Sequence, residues 1–298
     1  MGETTLRQAL DEYKDVFMAS RNFAERTRIE YFNDLEDLIR FLEQFGLKKV
    51  GDIELPKLER YLAELDHRGL AGTTRKRKVV SIRSFLEYLY QDQYMCTNLA
   101  KRLIPPFAEI KSPRYLTKSE YECLLDAASH DPRDYALIQL LLQTGIKLSE
   151  LTRLTRNDVE LPSIMPSEMT DTGYLNILGN RSRKPRIIPL NSVACIPLKK
   201  YLKERVAKSS TTFFINRFGM PLGLRGVEKI LKKYFVKAGI MNANVQSLRH
   251  TFGIHQIAKG TEPGIIQKMM GNKDPQSTSM YVSLVRGIKS EGIQNNAL

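Results

Sequence analysis

The stretch SLRHTFGIH (247–255), followed by MGNKDPQSTSMY (270–281), decides how this chain is read. Arg249 and His250 stand near the start of a helix expected over 245–259, which also carries Leu248, Phe252 and Ile257 on an apolar face. An arginine set beside a buried face needs an anionic partner, from the protein or from a ligand. His255, five residues on from His250, is expected to be a core or interhelix histidine. Further helices are expected at 262–270 and 276–285, the last rich in small residues and carrying Tyr281. Taken alone, Tyr281 reads as a structural tyrosine.

Upstream, DYALIQLLLQTGIKLSEL (134–151) is apolar nearly all round up to Gly145, the pattern of a buried helix. LTKSEYECLLDAA (116–128) opens with a capping box, Thr117 to Glu120. Two short apolar runs, Tyr174–Leu178 and Pro185–Leu190, flank GNRSRK (179–184) and predict a hairpin with a basic loop. Helices are also expected at 192–206 and 222–238. The first 95 residues predict four helices. Leu6–Phe17 is the first. Thr27–Phe45 follows, with Ile29, Phe32, Leu35, Leu38, Ile39 and Leu42 at helical spacing and Gly46 as its stop. The third starts at Pro56. The fourth is capped by Thr73 or Thr74 and turns Val79, Ile82, Phe85, Leu86 and Leu89 inward. IPPFAEIKSPRY (104–115) holds three prolines and no helical period, which marks a linker. The expected fold is therefore mostly α with a small β-sheet (α+β): a helical domain at 1–103, a linker at 104–115 and a mixed domain at 116–298.

Composition narrows the chemistry. A chain of 298 residues with 42% hydrophobic and 27% charged side chains predicts a globular protein of about two domains. No apolar run reaches the roughly 18 residues that a membrane span needs, and a cytoplasmic location is expected. Three scattered cysteines make neither a disulfide framework nor a clustered zinc site. GxxxxGK[ST], GxGxxG and HExxH are all missing, so no metal and no cofactor are expected. The net charge of +13 is unevenly spread: residues 116–298 carry 26 basic and 15 acidic side chains, residues 1–115 carry 20 and 18. A basic excess of this kind predicts a polyanion as partner.

Three basic clusters are candidate phosphate contacts. Arg75, Lys76, Arg77 and Lys78 open a helix, where positive charge opposes the macrodipole. Arg181, Arg183, Lys184 and Arg186 lie on the hairpin, and Arg225, Lys229, Lys232 and Lys233 are spaced to share one helical face.

Together these segments resemble the tyrosine recombinase, or phage integrase, family. TGIKLSEL (144–151) followed by LTRNDVEL resembles its TGLRxSEL box, SLRHTFGIH its LRHTFATH box, and MGNKDPQSTSMY its LGHxxxxTTxxY box. GNRSRKPRIIPL (179–190) resembles its β-hairpin, and the N-terminal helices resemble its SAM-like core-binding domain. The resemblance implies a clamp on double-stranded DNA. In it, a tyrosine forms a 3′-phosphotyrosyl bond without metal or ATP, two arginines hold the phosphate, and a hairpin lysine and a histidine move protons. It also implies pairing of copies through C-terminal helices, and so a homo-oligomer on DNA. Tyr281 and Arg249 match the pattern. Lys147 stands for the first arginine, Gln246 for the histidine three residues before Arg249, and Asn272 for the histidine of LGH. The hairpin lysine falls on Arg181 or Asn180, with Lys184 able to stand in. Lysine is a point donor where arginine is a fork, and an amide cannot shuttle a proton near pH 7. The substituted boxes therefore predict a DNA-binding regulator or repressor with lost or feeble chemistry. The alternative is an active site-specific recombinase using this unusual set.

Overall fold

The computed structural model describes residues 4–107, 112–162, 173–179, 184–206 and 210–290. The chain divides into two units, Met1–Lys111 and Ser112–Leu298.

The first unit is helical. Thr5 caps α1 (Leu6–Glu12), accepting from the Gln8 backbone while the Gln8 side chain reaches back. The helix runs on through a π-helical turn (Tyr13–Phe17) into α2 (Met18–Ser20), past the end expected at Phe17. The long amphipathic stretch is α3 (Glu25–Gln44), and α4 (Leu55–His67) carries Pro56 in its first turn, where no amide is needed. The fourth helix, α5 (Gly72–Gln91), starts before the expected threonine caps. The extended Ala71 supplies its first carbonyl, to Arg75 N–H, and Thr73 and Thr74 fall inside the first turn. Leu35, Leu38 and Ile39 of α3, Leu58 and Tyr61 of α4, and Val79, Ile82, Phe85 and Leu89 of α5 are fully buried in one core.

One part of the basic run on α5 is not available to a ligand. Lys78 lies one turn before Ile82 on the inward face, and its side chain is only 8% exposed. It donates to Asp37 Oδ2 at 2.8 Å and pairs with Asp34 Oδ1 at 3.3 Å. Arg77 binds Asp34 and Glu30, and Arg75 pairs with Asp66 at 2.6 Å. Of the four cations, Lys76 is the exposed one; Lys78 belongs to the interior, because α3 presents two carboxylates there.

Burial alone would push Asp37 up. Hydrogen bonds from Lys78, Arg68 and Tyr61, with the Lys78 charge, instead hold its carboxyl down at about 2. A carboxylate lowered in the folded state contributes stability above its unfolded value, and that contribution is lost as pH falls through the folded value. The unit is expected to lose roughly 1–2 kcal/mol from Asp37 between about pH 4 and pH 2. Lys78→Met removes the ammonium between Asp34 and Asp37, leaving the first to Arg77 and Ser81 and the second to Arg68 and Tyr61, and is expected to cost about 1–3 kcal/mol. Urea unfolding of the full chain checks both; a Lys78→Met midpoint equal to that of the parent would show that the network contributes nothing.

The second unit surrounds a buried helix. Thr117 and Glu120 form the expected capping box of α6 (Lys118–Ala128). Asp131 caps α7 (Pro132–Thr144), which is buried on nearly every face and stops at Gly145 in a left-handed conformation, φ 58°. The short α8 (Leu148–Leu151) follows. The sheet has order β1 (Val159–Glu160), β2 (Gly173–Ile177), β3 (Arg186–Leu190), all antiparallel, with Leu175 opposite Ile188. The expected hairpin is thus β2–β3. The sequence does not signal β1, since two residues carry no alternation. Helices α9 (Ser192–Glu204), α10 (Leu224–Lys237), α11 (Val245–Ala258), α12 (Pro263–Met270) and α13 (Gln276–Ser290) complete the unit. Phe252, Ile254, Ile266, Met270, Tyr281 and Val285 form a small core of their own where α11, α12 and α13 meet.

Candidate active site

Two left-handed glycines build the site. Gly145 ends α7 and Gly271 (φ 63°) ends α12, each freeing a carbonyl from its helix. Arg249, on α11 and 6% exposed, donates to the Gly145 carbonyl, to Met270 O at 2.7 Å and to Asn272 Oδ1 at 2.6 Å. Lys147 donates from Nζ to Gly271 O at 3.3 Å. Its backbone N–H is fixed by Glu150 Oε2 at 2.9 Å. Asn272 is held in turn by Thr278, 3.3 Å away on α13. Lys147, Arg249 and Asn272 are thus gathered around one turn.

Arg186, expected as a phosphate contact, has a different task. It makes a fork with Glu150, Nη1–Oε1 3.0 Å and Nη2–Oε2 2.8 Å, and donates from Nε to Met269 O at 2.6 Å. Both side chains are about nine-tenths buried (11% and 12% exposed). Burial pushes the Glu150 carboxyl up, but the Arg186 fork, the Lys147 N–H and the Arg186 and Arg249 charges together leave it below its usual range. Arg249 itself donates to neutral carbonyl and amide oxygens, with the Glu150 charge in its vicinity, and Arg186 is a strut tying β3 to α8 and to the end of α12.

Tyr281 is 2% exposed. Its Oη lies 3.0 Å from His250 Nδ1, and the two rings meet edge to face at 5.8 Å. Burial raises the Tyr281 phenol, and the Arg249 charge opposes that rise. Burial, then Arg249, lowers His250. His250 is the site residue that reading the boxes passed over; its place directly after Arg249 was the available signal. Gln246 is exposed, one turn before His250 on α11. Lys184 is exposed two residues before β3, and Arg181 and Arg183 lie outside the described residues. His255 packs at 5.9 Å from the Tyr121 ring and is brought down to about 4 by burial, with Lys259 adding to the shift, in keeping with an interhelix role. Arg225, Lys229, Lys232 and Lys233 are exposed on α10; Lys233 also donates to Tyr234 Oη at 3.2 Å.

Gly253 explains how a tyrosine reaches this depth. A Cβ there would stand 2.5 Å from Tyr281 Cε2 and 2.7 Å from Cδ2. Glycine inside a helix costs about 0.5–1 kcal/mol relative to alanine, so the ring's approach supplies its reason. Gly253→Ala is expected to displace the ring and to destabilise the chain by about 1–3 kcal/mol. Iodination mapped by mass spectrometry should rise at Tyr281; unchanged labelling would show that the ring does not depend on this gap.

Comparison with known proteins gives the family and the fold. The model of the phage integrase family matches residues 114–286, and that of the phage integrase N-terminal SAM-like domain matches residues 10–93. The chain belongs to the phage integrase family. Two relatives of this integrase-family chain are tyrosine recombinase XerD of Chlorobaculum tepidum and tyrosine recombinase XerC of Pelotomaculum thermopropionicum. The first is 28% identical over 97% of this chain and 96% of the relative, the second 31% identical over 91% and 92%. Among solved structures, the XerH site-specific recombinase bound to a palindromic difH substrate, a post-cleavage complex, matches with a TM-score of 0.75 at 18% identity, covering 96% of this chain and 84% of that one. The integrase-family fold, mostly helical with a small sheet and a SAM-like N-terminal unit, is the one expected. No helix among the described residues is long and apolar enough to cross a membrane.

Proposed function

We propose that this chain is a site-specific DNA recombinase that breaks a phosphodiester of double-stranded DNA with Tyr281 and stores it as a 3′-phosphotyrosyl bond. The observation that carries this reading is the placement of the Tyr281 hydroxyl 3.0 Å from His250 and within reach of the Arg249 charge. A buried phenol needs one hydrogen-bond partner; here that partner is a potential base, and a guanidinium charge stands close by. Arg249 and Lys147 supply the cations for a phosphate whose charge grows in the transition state. Their donors rest on carbonyl oxygens in the free chain, so a phosphate exchanges one set of acceptors for another. The names of the relatives support the same reading.

The regulator reading rests on Lys147, Gln246 and Asn272, and none of the relatives named above is a repressor. Lys76, Arg225, Lys229 and Lys232, exposed in the structure, are the candidate contacts to the duplex backbone.

The test begins by selecting duplexes from a random-sequence library on the full chain by gel shift. The selected duplex is then nicked beside the cleavage position, so that the released strand diffuses away, and products are run on a denaturing gel. A covalent protein–DNA adduct is expected. A retarded complex that gives no adduct at any pH would favour the regulator, and the lack of any salt-sensitive complex would remove DNA as the partner.

A further inference from the structure

We infer that His250 is the proton acceptor of the Tyr281 nucleophile, with its ring in the Nε2–H tautomer and Nδ1 receiving the phenol hydrogen. This deepens the recombinase reading and rests on it. His250 Nδ1 and Tyr281 Oη are 3.0 Å apart, inside ordinary hydrogen-bond range. Two arrangements fit that distance, and only the one with Nδ1 unprotonated lets the imidazole take the phenol proton. Burial raises Tyr281, so its hydroxyl keeps a hydrogen to give; burial and Arg249 lower His250, which favours the neutral imidazole, and in the Nε2–H form that ring offers the Nδ1 lone pair to receive it. The neighbouring side chains do not compete for this role among the described residues. Gln246 and Asn272 are amides, Lys147 and Arg249 are cations, and Glu150 is engaged by the Arg186 fork. Where the family pattern places a proton-transferring histidine at 246, this chain has a glutamine, and the imidazole one turn along the same helix reaches the nucleophile instead.

The step balances without a further reagent. Tyr281 Oη attacks phosphorus as the P–O5′ bond breaks. The Oη proton passes to His250 Nδ1, and the departing O5′ takes a proton from water or from an ammonium group of the hairpin. The transient imidazolium stands next to Arg249, and the extra negative charge of the transition-state phosphate offsets the added positive charge. In the resealing direction the imidazolium returns its proton to Oη. Residues 249 and 250 are consecutive on α11, so the group that grips the phosphate and the group that relieves the nucleophile are carried by one rigid element.

Adduct formation on the selected, nicked duplex tests this with the full-length wild type, His250→Ala and His250→Gln. Both variants are expected to bind the duplex within about twofold of wild type and to form adduct about 10²–10⁴-fold more slowly. Added imidazole should recover part of the rate in His250→Ala, where it has space, and none in His250→Gln. An undiminished His250→Ala rate overturns the proposal while leaving the recombinase reading intact. Loss without imidazole rescue assigns His250 to packing and overturns it equally. A wild type that forms no adduct brings down the recombinase reading, and this proposal with it. Independently of DNA, ¹⁵N spectra of the imidazoles in the free chain should show His250 Nδ1 unprotonated and shifted by Tyr281→Phe. A protonated Nδ1 overturns the assignment whatever the cleavage assay gives.

Discussion

Tyr281→Phe is expected to abolish the covalent protein–DNA adduct completely while duplex affinity stays within about twofold of wild type. The phosphotyrosyl oxygen is the Tyr281 Oη, and phenylalanine offers no atom to replace it. The ring itself is retained, so the small core of Phe252, Ile254, Ile266, Met270 and Val285 stays filled. The hydroxyl's partner, His250 Nδ1, is left without this phenol, which costs about 1 kcal/mol of stability by ordinary hydrogen-bond accounting. Affinity survives because it depends on many phosphate contacts spread over the surface. An adduct formed by Tyr281→Phe on the nicked duplex would mean that another side chain is the nucleophile.

Arg249→Ala has the second largest expected effect, a fall of about 10³–10⁵ in the adduct rate, the range seen when an arginine is withdrawn from a transferring phosphoryl group. Lys147 already stands in place of the other arginine, and the nearby Arg186 guanidinium is taken up by Glu150 and Met269 O, so the grip rests chiefly on Arg249. Lysine offers a single point of charge and cannot take over a planar fork. The substitution also releases the carbonyls of Gly145 and Met270 and the amide of Asn272 from their donor. A loss of stability of about 1–3 kcal/mol for each buried acceptor left unpaired accompanies it. Thermal unfolding of the free chain separates the two effects. An adduct rate within tenfold of wild type in a folded Arg249→Ala chain would contradict the role given to Arg249.

Much of the fold was legible because local rules and tertiary needs coincide. Thr117 and Glu120 announce α6, Gly145 announces the end of α7, and the stripe from Leu35 to Leu42 announces the buried face of α3. Lys78 was legible too, on a closer count of period. It sits at the spacing of Ile82, Phe85 and Leu89, so its ammonium enters the core face of α5 with them. By charge alone, the run of four cations reads as one surface patch. Arg186 carries no such signal. Nothing within the hairpin foretells that Glu150, 36 residues earlier, waits beneath it.

By itself the amino-acid sequence determined the helices, the hairpin, the excess of positive charge in the second part and the positions of Lys147, Arg249, Asn272 and Tyr281 along the chain. These follow from spacing, capping and composition, which act between neighbours. The tertiary structure alone decided which cations stay on the surface and which are consumed inside, since an ammonium or guanidinium becomes interior only where a carboxylate from another element meets it. It also decided that the histidine beside the nucleophile is His250, because an approach of 3.0 Å between residues 31 apart depends on how α11 and α13 pack, and on a glycine that lets them do so.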